Sequence, residues 1–451
     1  MKVGSSIPSV NTSPSTSIRT NTLPIGELKQ RDVVIINPYT DGGGDKELGN
    51  KIANIALNDG CRVSILSMDI CDWRNQSCRN LSLKDNQPHD ISHLHNPIFI
   101  VAPTYLIPLG ILQSRISKLC TEQGFKQRDI LLIEEMDVLE KHNILSRYTD
   151  ELAKNGFKNI KAYHLGFQKG IGYLATDKHQ IDTIKQRFEC ELTKLMDSYN
   201  VTLMKDDNYH LCYTSSHTPI DSTQSFLINS LIETQHDNKN TTYFIVARTL
   251  DETLTEQYPV AIQSILSYHD GIFNYPALFS TMQLYFFGSQ TGNLTKSISL
   301  SGTGKRHINI VITQSLPKNI FDDVMCLAHS GMMSGDQSLS EYLSLKGTVP
   351  YYEMQPWKTN VAKGLHQHWA EYAQTRRVKH KILGKYLDKE KVVSTYPFLS
   401  NENYQPLSVS ERQNDGQIHQ KIANQTANGK IREFITPRNE WEKWDQWKAN
   451  H

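Results

Sequence analysis

Residues 330–353 read SGMMSGDQSLSEYLSLKGTVPYYE. A Gly-rich turn runs into a helical pattern from Ser338 to Leu345, amphipathic in spacing, and then into a short apolar strand. Such a turn aims free backbone N–H groups and the positive end of a helix dipole at one point, which suits a diphosphate. On that reading Gly335, Asp336, Gln337 and Ser338 form the phosphate cradle, with the Ser338 hydroxyl as a donor. Glu341, one helical turn inward, accepts hydrogen bonds from ribose hydroxyls. The Ser338-x-x-Glu341 spacing also fits a capping box, and capping is compatible with binding.

Working outward, apolar strand-like runs alternate with helical patterns on both sides of this motif. Before the middle of the chain they are Val33 to Ile36, Val63 to Leu66, Ile98 to Val101, Ile130 to Ile133 and Ile160 to Leu165. After it come Tyr243 to Val246, Met282 to Phe287 and Ile308 to Ile312. Alternation of this kind argues for parallel sheets covered by helices on both faces. The polar stretch between the two sets reads as a hinge. The expected fold class is therefore α/β, with two Rossmann-like doubly wound domains facing a central cleft. The expected boundaries are a disordered leader at 1–28, an N-terminal acceptor domain at 29–216, a linker at 217–240, a C-terminal nucleotide-sugar domain at 241–380, and C-terminal helices and tail at 381–451. Trp441, Trp444 and Trp447, spaced by three, suggest one face of a docked terminal helix.

Asp41-Gly42-Gly43-Gly44-Asp45 follows the first strand directly. It sits at a strand's carboxyl end, where open α/β sheets bind ligands. Three glycines let the backbone approach a ligand closely and leave Asp41 and Asp45 projecting into the crevice. A plain strand-to-helix turn with Asp45 as N-cap is the simpler alternative. The glycines match neither a P-loop nor G-x-G-x-x-G, which argues against ATP and dinucleotide sites. Tyr105, at the end of another strand, is placed to line an acceptor cleft, or merely to pack. Glu134, Glu135 and Asp137 follow a third strand and suit either a basic acceptor or solvent.

The Gly-rich turn after the first strand, and the late turn followed by Glu341 and Gly347-Thr348-Val349-Pro350, resemble GT-B glycosyltransferases. A closer motif likeness is to the inverting protein-arginine rhamnosyltransferases of bacteria. Their D-x-x-G-D turn is matched by Asp41 and Asp45. Their G-E-D-S element corresponds to Gly335-Asp336-Gln337-Ser338, with Asp for Glu and Gln for Asp. The resemblance implies a nucleoside diphosphate sugar held by the second domain and an acceptor, a protein side chain or small molecule, approaching from the first. It gives Asp41 the role of deprotonating or orienting the acceptor nucleophile, and Asp45 that of positioning the acceptor or the base. It also sets Gln314 and Leu316 beside the nucleobase, with a strand end packing its own core as the plain alternative.

The rest of the chain mostly excludes. Lys plus Arg number 48 against 47 Asp plus Glu, so no overall field draws the chain to nucleic acid. The seven cysteines are odd in number and contain no Cys-x-x-Cys pair, which indicates neither a disulfide framework nor a zinc knuckle. No D-x-D triplet or H-E-x-x-H occurs, so no metal and no cofactor beyond the sugar donor are expected. No run of about 18 apolar residues suggests a transmembrane segment. A cytoplasmic location is expected, and the polar tails also suit a secreted bacterial effector. Alternatives within the same frame are a nucleotide-sugar epimerase or hydrolase and a non-catalytic nucleotide-sugar adaptor.

Overall fold

The computed structural model describes residues 31–353 apart from short stretches, of which 40–42, 71–82, 137–143 and 216–218 border the features discussed below. It further describes 360–365, 367–368, 386–387 and 409–436. The expected leader at 1–28 and the three terminal tryptophans lie outside the described residues.

Two separate sheets form. The front sheet contains β1 (Asp32–Tyr39), β2 (Arg62–Ile70), β3 (Leu83–Asp85), β4 (Ile98–Val101), β5 (Asp129–Glu134) and β6 (Asn159–His164). Their order is β3-β2-β1-β4-β5-β6, with β3 alone antiparallel. The rear sheet contains β7 (Asn208–Thr214), β8 (Thr241–Ala247), β9 (Thr281–Phe287), β10 (Leu294–Ser301), β11 (His307–Thr313), β12 (Ser330–Met333), β13 (Tyr351–Glu353) and β14 (Tyr386–Leu387). Here the order is β10-β9-β11-β8-β7-β12-β13-β14, and only the edge strand β10 is antiparallel. The helices are α1 (Gly43–Asn58), α2 (Leu109–Gln123), α3 (Ile144–Lys154), α4 (Lys178–Ser198), α5 (Pro219–Glu233), α6 (Glu252–Ser267), α7 (Lys318–Leu327) and α8 (Asp336–Lys346), followed by two C-terminal helices, Val409–Ala423 and Asn428–Ile435. This is a two-lobed α/β layout of two doubly wound, mostly parallel sheets. Among the described residues no helix is long and apolar enough to cross a membrane.

Side-chain alternation along the central strands explains how the lobes are joined. Val33 and Ile35 of β1 point into a core layer that also receives Phe244 and Val246 of β8. Val34 and Ile36 point the other way, into a core confined to the front lobe. Tyr243 and Ile245 likewise serve the rear lobe's own outer core. One apolar layer is thus shared between the sheets. Each fully buried Val or Ile in it contributes roughly 1.5–3 kcal/mol of transfer free energy.

The lobe boundary differs from the sequence expectation. The segment expected as a linker, 217–240, contains the 15-residue helix α5. β7, expected in the first domain, pairs in parallel with β8 in the rear sheet. The chain therefore crosses earlier, through α4, which packs against α7 of the rear lobe. It also crosses back, because the two C-terminal helices return to the front lobe. Tyr173 N–H donates to Gln425 O at 3.0 Å, Ala427 N–H donates to Tyr173 O at 2.8 Å, and Arg432 pairs with Asp59 at 3.1 Å.

The turn after β1 is fixed by a buried amide. Asn37 Nδ2 donates to the Asp45 carbonyl at 2.8 Å and to the Ala102 carbonyl at 2.7 Å, tying the start of α1 to the ends of β1 and β4. Gly49 makes room for it, since a Cβ there would sit 2.6 Å from Asn37 Cγ. Gly49→Ala is expected to destabilise the fold by about 1–3 kcal/mol through overpacking. Gly110→Ala, on an open face of α2 where a Cβ meets nothing, should instead be stabilising by roughly 0.5–1 kcal/mol. Chemical denaturation of both variants checks the pair, and equal effects would remove Asn37 as the reason for the glycine.

Candidate functional site

Each sheet reverses its winding at one point, and both points open on the same cleft. In the front sheet the reversal lies between β1 and β4, and in the rear sheet between β7 and β12. Crevices outside the carboxyl ends of strands at such switch points are where open α/β sheets bind ligands. A cleft of about 630 Å³ occupies this place. Gly44, Glu47 and Glu135 line it from the front, and Ser215, Arg248, Gln314, Leu316, Lys318 and the 334–341 segment from the rear.

The start of α8 is its floor. Gly335 precedes the helix with φ 88° and ψ 165°, a conformation open to glycine, and this turn starts the helix at Asp336. The helix therefore begins three residues before the capping-box spacing suggests. Ser338 is not its cap: the hydroxyl donates back to the Ser334 carbonyl at 2.8 Å, with a longer contact to the Gly335 carbonyl at 3.3 Å. What α8 offers the cleft is backbone, since the N–H groups of Asp336, Gln337 and Ser338 belong to its first turn and have no intrahelical acceptor. Nor is α8 amphipathic as expected. Ser338 through Leu343 are all buried, because α7, α1 and β12 enclose the helix.

Two contacts bring the front lobe onto this helix. A Cβ built on Gly44 would lie 4.0 Å from Gln337 Cβ, so the turn after β1 faces the first turn of α8. Asp336 Oδ2 accepts the Met136 N–H at 3.0 Å, which locks the end of β5 against the same turn. Asp336 thus acts as an inter-lobe tie. Glu341, one turn further, accepts from Gln337 Nε2 at 3.1 Å and pairs with Lys318 at 3.3 Å. Burial alone would lower the Lys318 pKa, but the Glu341 and Asp322 carboxylates outweigh it and hold the ammonium above its usual range. Behind the floor, Ser215 and Ser334 share a hydroxyl hydrogen bond of 2.6 Å across the rear switch point. Glu353 holds that junction by accepting from Thr214 Oγ1 at 2.7 Å and the Ser215 N–H at 3.1 Å.

The structure thus brings Gly335, Asp336, Gln337, Ser338, Glu341, Gln314, Leu316 and Glu135 to one cleft. Asp45 is buried in the first turn of α1. Tyr105 is half-buried beside the front switch point, where burial first, and then the charges of Glu135, Asp45, Glu134 and Asp336, push its hydroxyl pKa up. Asp41 lies outside the described residues. Among the described residues, no group of three His, Cys, Asp or Glu gathers at metal-binding spacing.

Sequence reading missed Arg248, Lys318, Ser215 and Ser334. Arg248 is exposed, lines the cleft and has no carboxylate partner among the described residues. The signal was available: Arg248 immediately follows β8 and Ser334 immediately follows β12, both at strand carboxyl ends.

No protein-family model matches the sequence, and no curated protein does. Solved structures do match in layout. The α,α-trehalose 6-phosphate synthase from Burkholderia multivorans aligns with TM-score 0.42 and 10% identity over 90% of this chain and 97% of that one. An E. coli trehalose-6-phosphate structure bound with UDP-2-fluoro glucose gives 0.37 and 10% over 90% and 98%. A glycosyl transferase family 9 structure from Veillonella parvula gives 0.33 and 10% over 81% and 97%. Each is a distant likeness of general layout.

Proposed function

We propose that this chain is a glycosyltransferase that moves a sugar from a nucleoside diphosphate to an acceptor, with inversion and without a metal. The observation that carries the reading is the first turn of α8 sharing one cleft with Arg248 and with Lys318, and facing the turn after β1. In such a site the amides of the first turn and the two cations receive the charge that gathers on the departing diphosphate. Gln314 and Leu316 flank the base, and Glu341, held by Lys318 and Gln337, faces the ribose.

Asp41 is the proposed base, three residues ahead of Gly44 in the chain. Its carboxylate takes the proton from the acceptor nucleophile as that atom bonds to the anomeric carbon. The bond from that carbon to the diphosphate breaks on the opposite side, and the electron pair leaves with the diphosphate. Asp45 positions the acceptor or the base. The acceptor enters past Tyr105 and Glu135, and the carboxylates around Tyr105 favour a basic protein side chain there, the class suggested by the likeness to arginine rhamnosyltransferases.

The test is a melting-temperature screen with nucleoside diphosphates and their monophosphates. One diphosphate at a hundredfold over its Kd should add about 2.7 kcal/mol of stability. Arg248→Met should erode the preference for diphosphate over monophosphate. Asp41→Asn should bind the same diphosphate yet transfer sugar roughly 10²- to 10⁴-fold more slowly. Absence of any diphosphate effect, or full turnover by the Asp41 variant, overturns the reading.

A further inference from the structure

A second cavity, of about 560 Å³, lies beyond the wall formed by Glu47, Lys318 and Glu341, among α1, α4, α7 and α8. Two buried donors face it without adequate partners. Lys51, 5% exposed, has the Leu174 carbonyl at 3.4 Å as its hydrogen-bond acceptor and, among the described residues, no carboxylate within ion-pair distance. Thr176 Oγ1 is buried and has no hydrogen-bond partner. A buried ammonium left this way is expensive, and a buried hydroxyl adds to the cost. Both atoms lie on residues lining the cavity, so a bound molecule can supply what the protein does not.

The lining decides what kind of molecule. All the lining side chains are polar or charged except Ile184 and Leu345, which rules out an apolar ligand as the best fit. Glu47, Glu341 and Asp322 set three carboxylates against the two ammonium groups of Lys51 and Lys318, an excess of one negative charge among these five groups. That balance disfavours a phosphate or other multiply charged anion. A neutral molecule bearing many hydroxyls fits both signs at once: its O–H groups donate to the carboxylates while its oxygens accept from Lys51 and Thr176. Ile184 and Leu345 then offer an apolar patch to the C–H face of a ring.

We propose that this cavity is a carbohydrate subsite, binding a neutral sugar through Lys51 Nζ and Thr176 Oγ1. It stands on the cavity's own geometry and does not require the adjoining cleft to take a diphosphate. Its volume lies within the range of small-molecule sites, roughly 300–1,000 Å³. Through Glu47, Lys318 and Glu341, which border both spaces, an occupant would touch the groups proposed to face the donor.

The experiment is calorimetry and saturation-transfer NMR on the full chain with glucose, galactose, N-acetylglucosamine and maltose, against inorganic phosphate and hexanol. At least one sugar should saturate, with phosphate and hexanol weaker. Lys51→Met and Thr176→Val should each lower that sugar's affinity at least about tenfold, the loss of one good hydrogen bond. Arg248→Met should leave it unchanged, which separates this site from the diphosphate cleft. Two variants guard against loss through misfolding, and a cooperative melting transition shows each to be folded. Failure of all four sugars, affinity unmoved in both variants, or phosphate bound more tightly than any sugar in a Lys51-dependent way each overturns the proposal.

Discussion

Gly335→Ala is expected to weaken nucleoside diphosphate binding by about 10- to 100-fold. A Cβ at this position meets nothing within 4 Å, so no clash is involved. The cost is conformational: with φ 88° and ψ 165°, an alanine carries roughly 1–3 kcal/mol of backbone strain. The free protein relieves it by rotating the peptide that leads into Asp336. That movement turns the first amides of α8 away from the cleft and loosens the Ser338 hydroxyl's bond to the Ser334 carbonyl. Binding must restore the native turn, so the strain reappears as lost affinity, about tenfold for each 1.4 kcal/mol. Gly347→Ala is the control. Gly347 closes the other end of the same helix with φ 65°, and its N–H donates to the Leu343 carbonyl. Its replacement should lower the melting temperature and leave affinity alone. Equal affinity in parent and Gly335 variant, measured by calorimetry, would show that the amides of this turn do not hold the ligand.

How much of this was legible beforehand depended on how local the cause was. The central strands were visible because a parallel strand buried on both faces is a continuous apolar run, and Val33 to Ile36 and Ile98 to Val101 are such runs. α5 was read as a linker because its stretch is rich in Ser, Thr and Asn. Those side chains are buried, and they are satisfied within the lobe: Ser230 Oγ donates to the Phe226 carbonyl at 2.8 Å, Asn229 Nδ2 to the Ser225 carbonyl at 2.7 Å, and Thr223 meets the Tyr258 hydroxyl at 3.2 Å. Polarity there signals helix-borne hydrogen bonds, not solvent. The Gly335 turn was legible because a helix start is a local event, although its spacing misled: Ser338 and Glu341 fit a capping box, yet the positive φ of Gly335 starts α8 earlier. The meeting of Gly44 with Gln337, and of Met136 with Asp336, depends on how two sheets dock, and no short motif encodes that.

Lys51→Met is expected to raise stability at neutral pH by up to about 3 kcal/mol, the opposite of the usual effect of changing a buried residue. Burial is the largest influence on this ammonium and lowers its pKa from 10.5 to about 8; Glu341, Glu47 and Asp322 act against the shift and Lys318 acts with it, while His179 of α4 lines the same cavity. At about 1.4 kcal/mol per pKa unit, the depression amounts to roughly 3 kcal/mol. The direction follows from proton counting. Below pH 8 both folded and unfolded chains carry the proton, so the penalty is constant and full. Between about 8 and 10.5 the unfolded chain holds the proton and the folded chain has released it, so stability attributable to this group rises with pH across that window. Methionine keeps an unbranched stem of similar length and removes the charge, so the variant should be more stable at pH 7 and should lose this rise. Denaturation at pH 7, 8.5 and 10 measures both. A variant less stable than the parent at pH 7 would mean that Lys51 is compensated by Glu47 and Glu341 more fully than its distances allow, and that the second cavity has no unmet donor to offer a ligand.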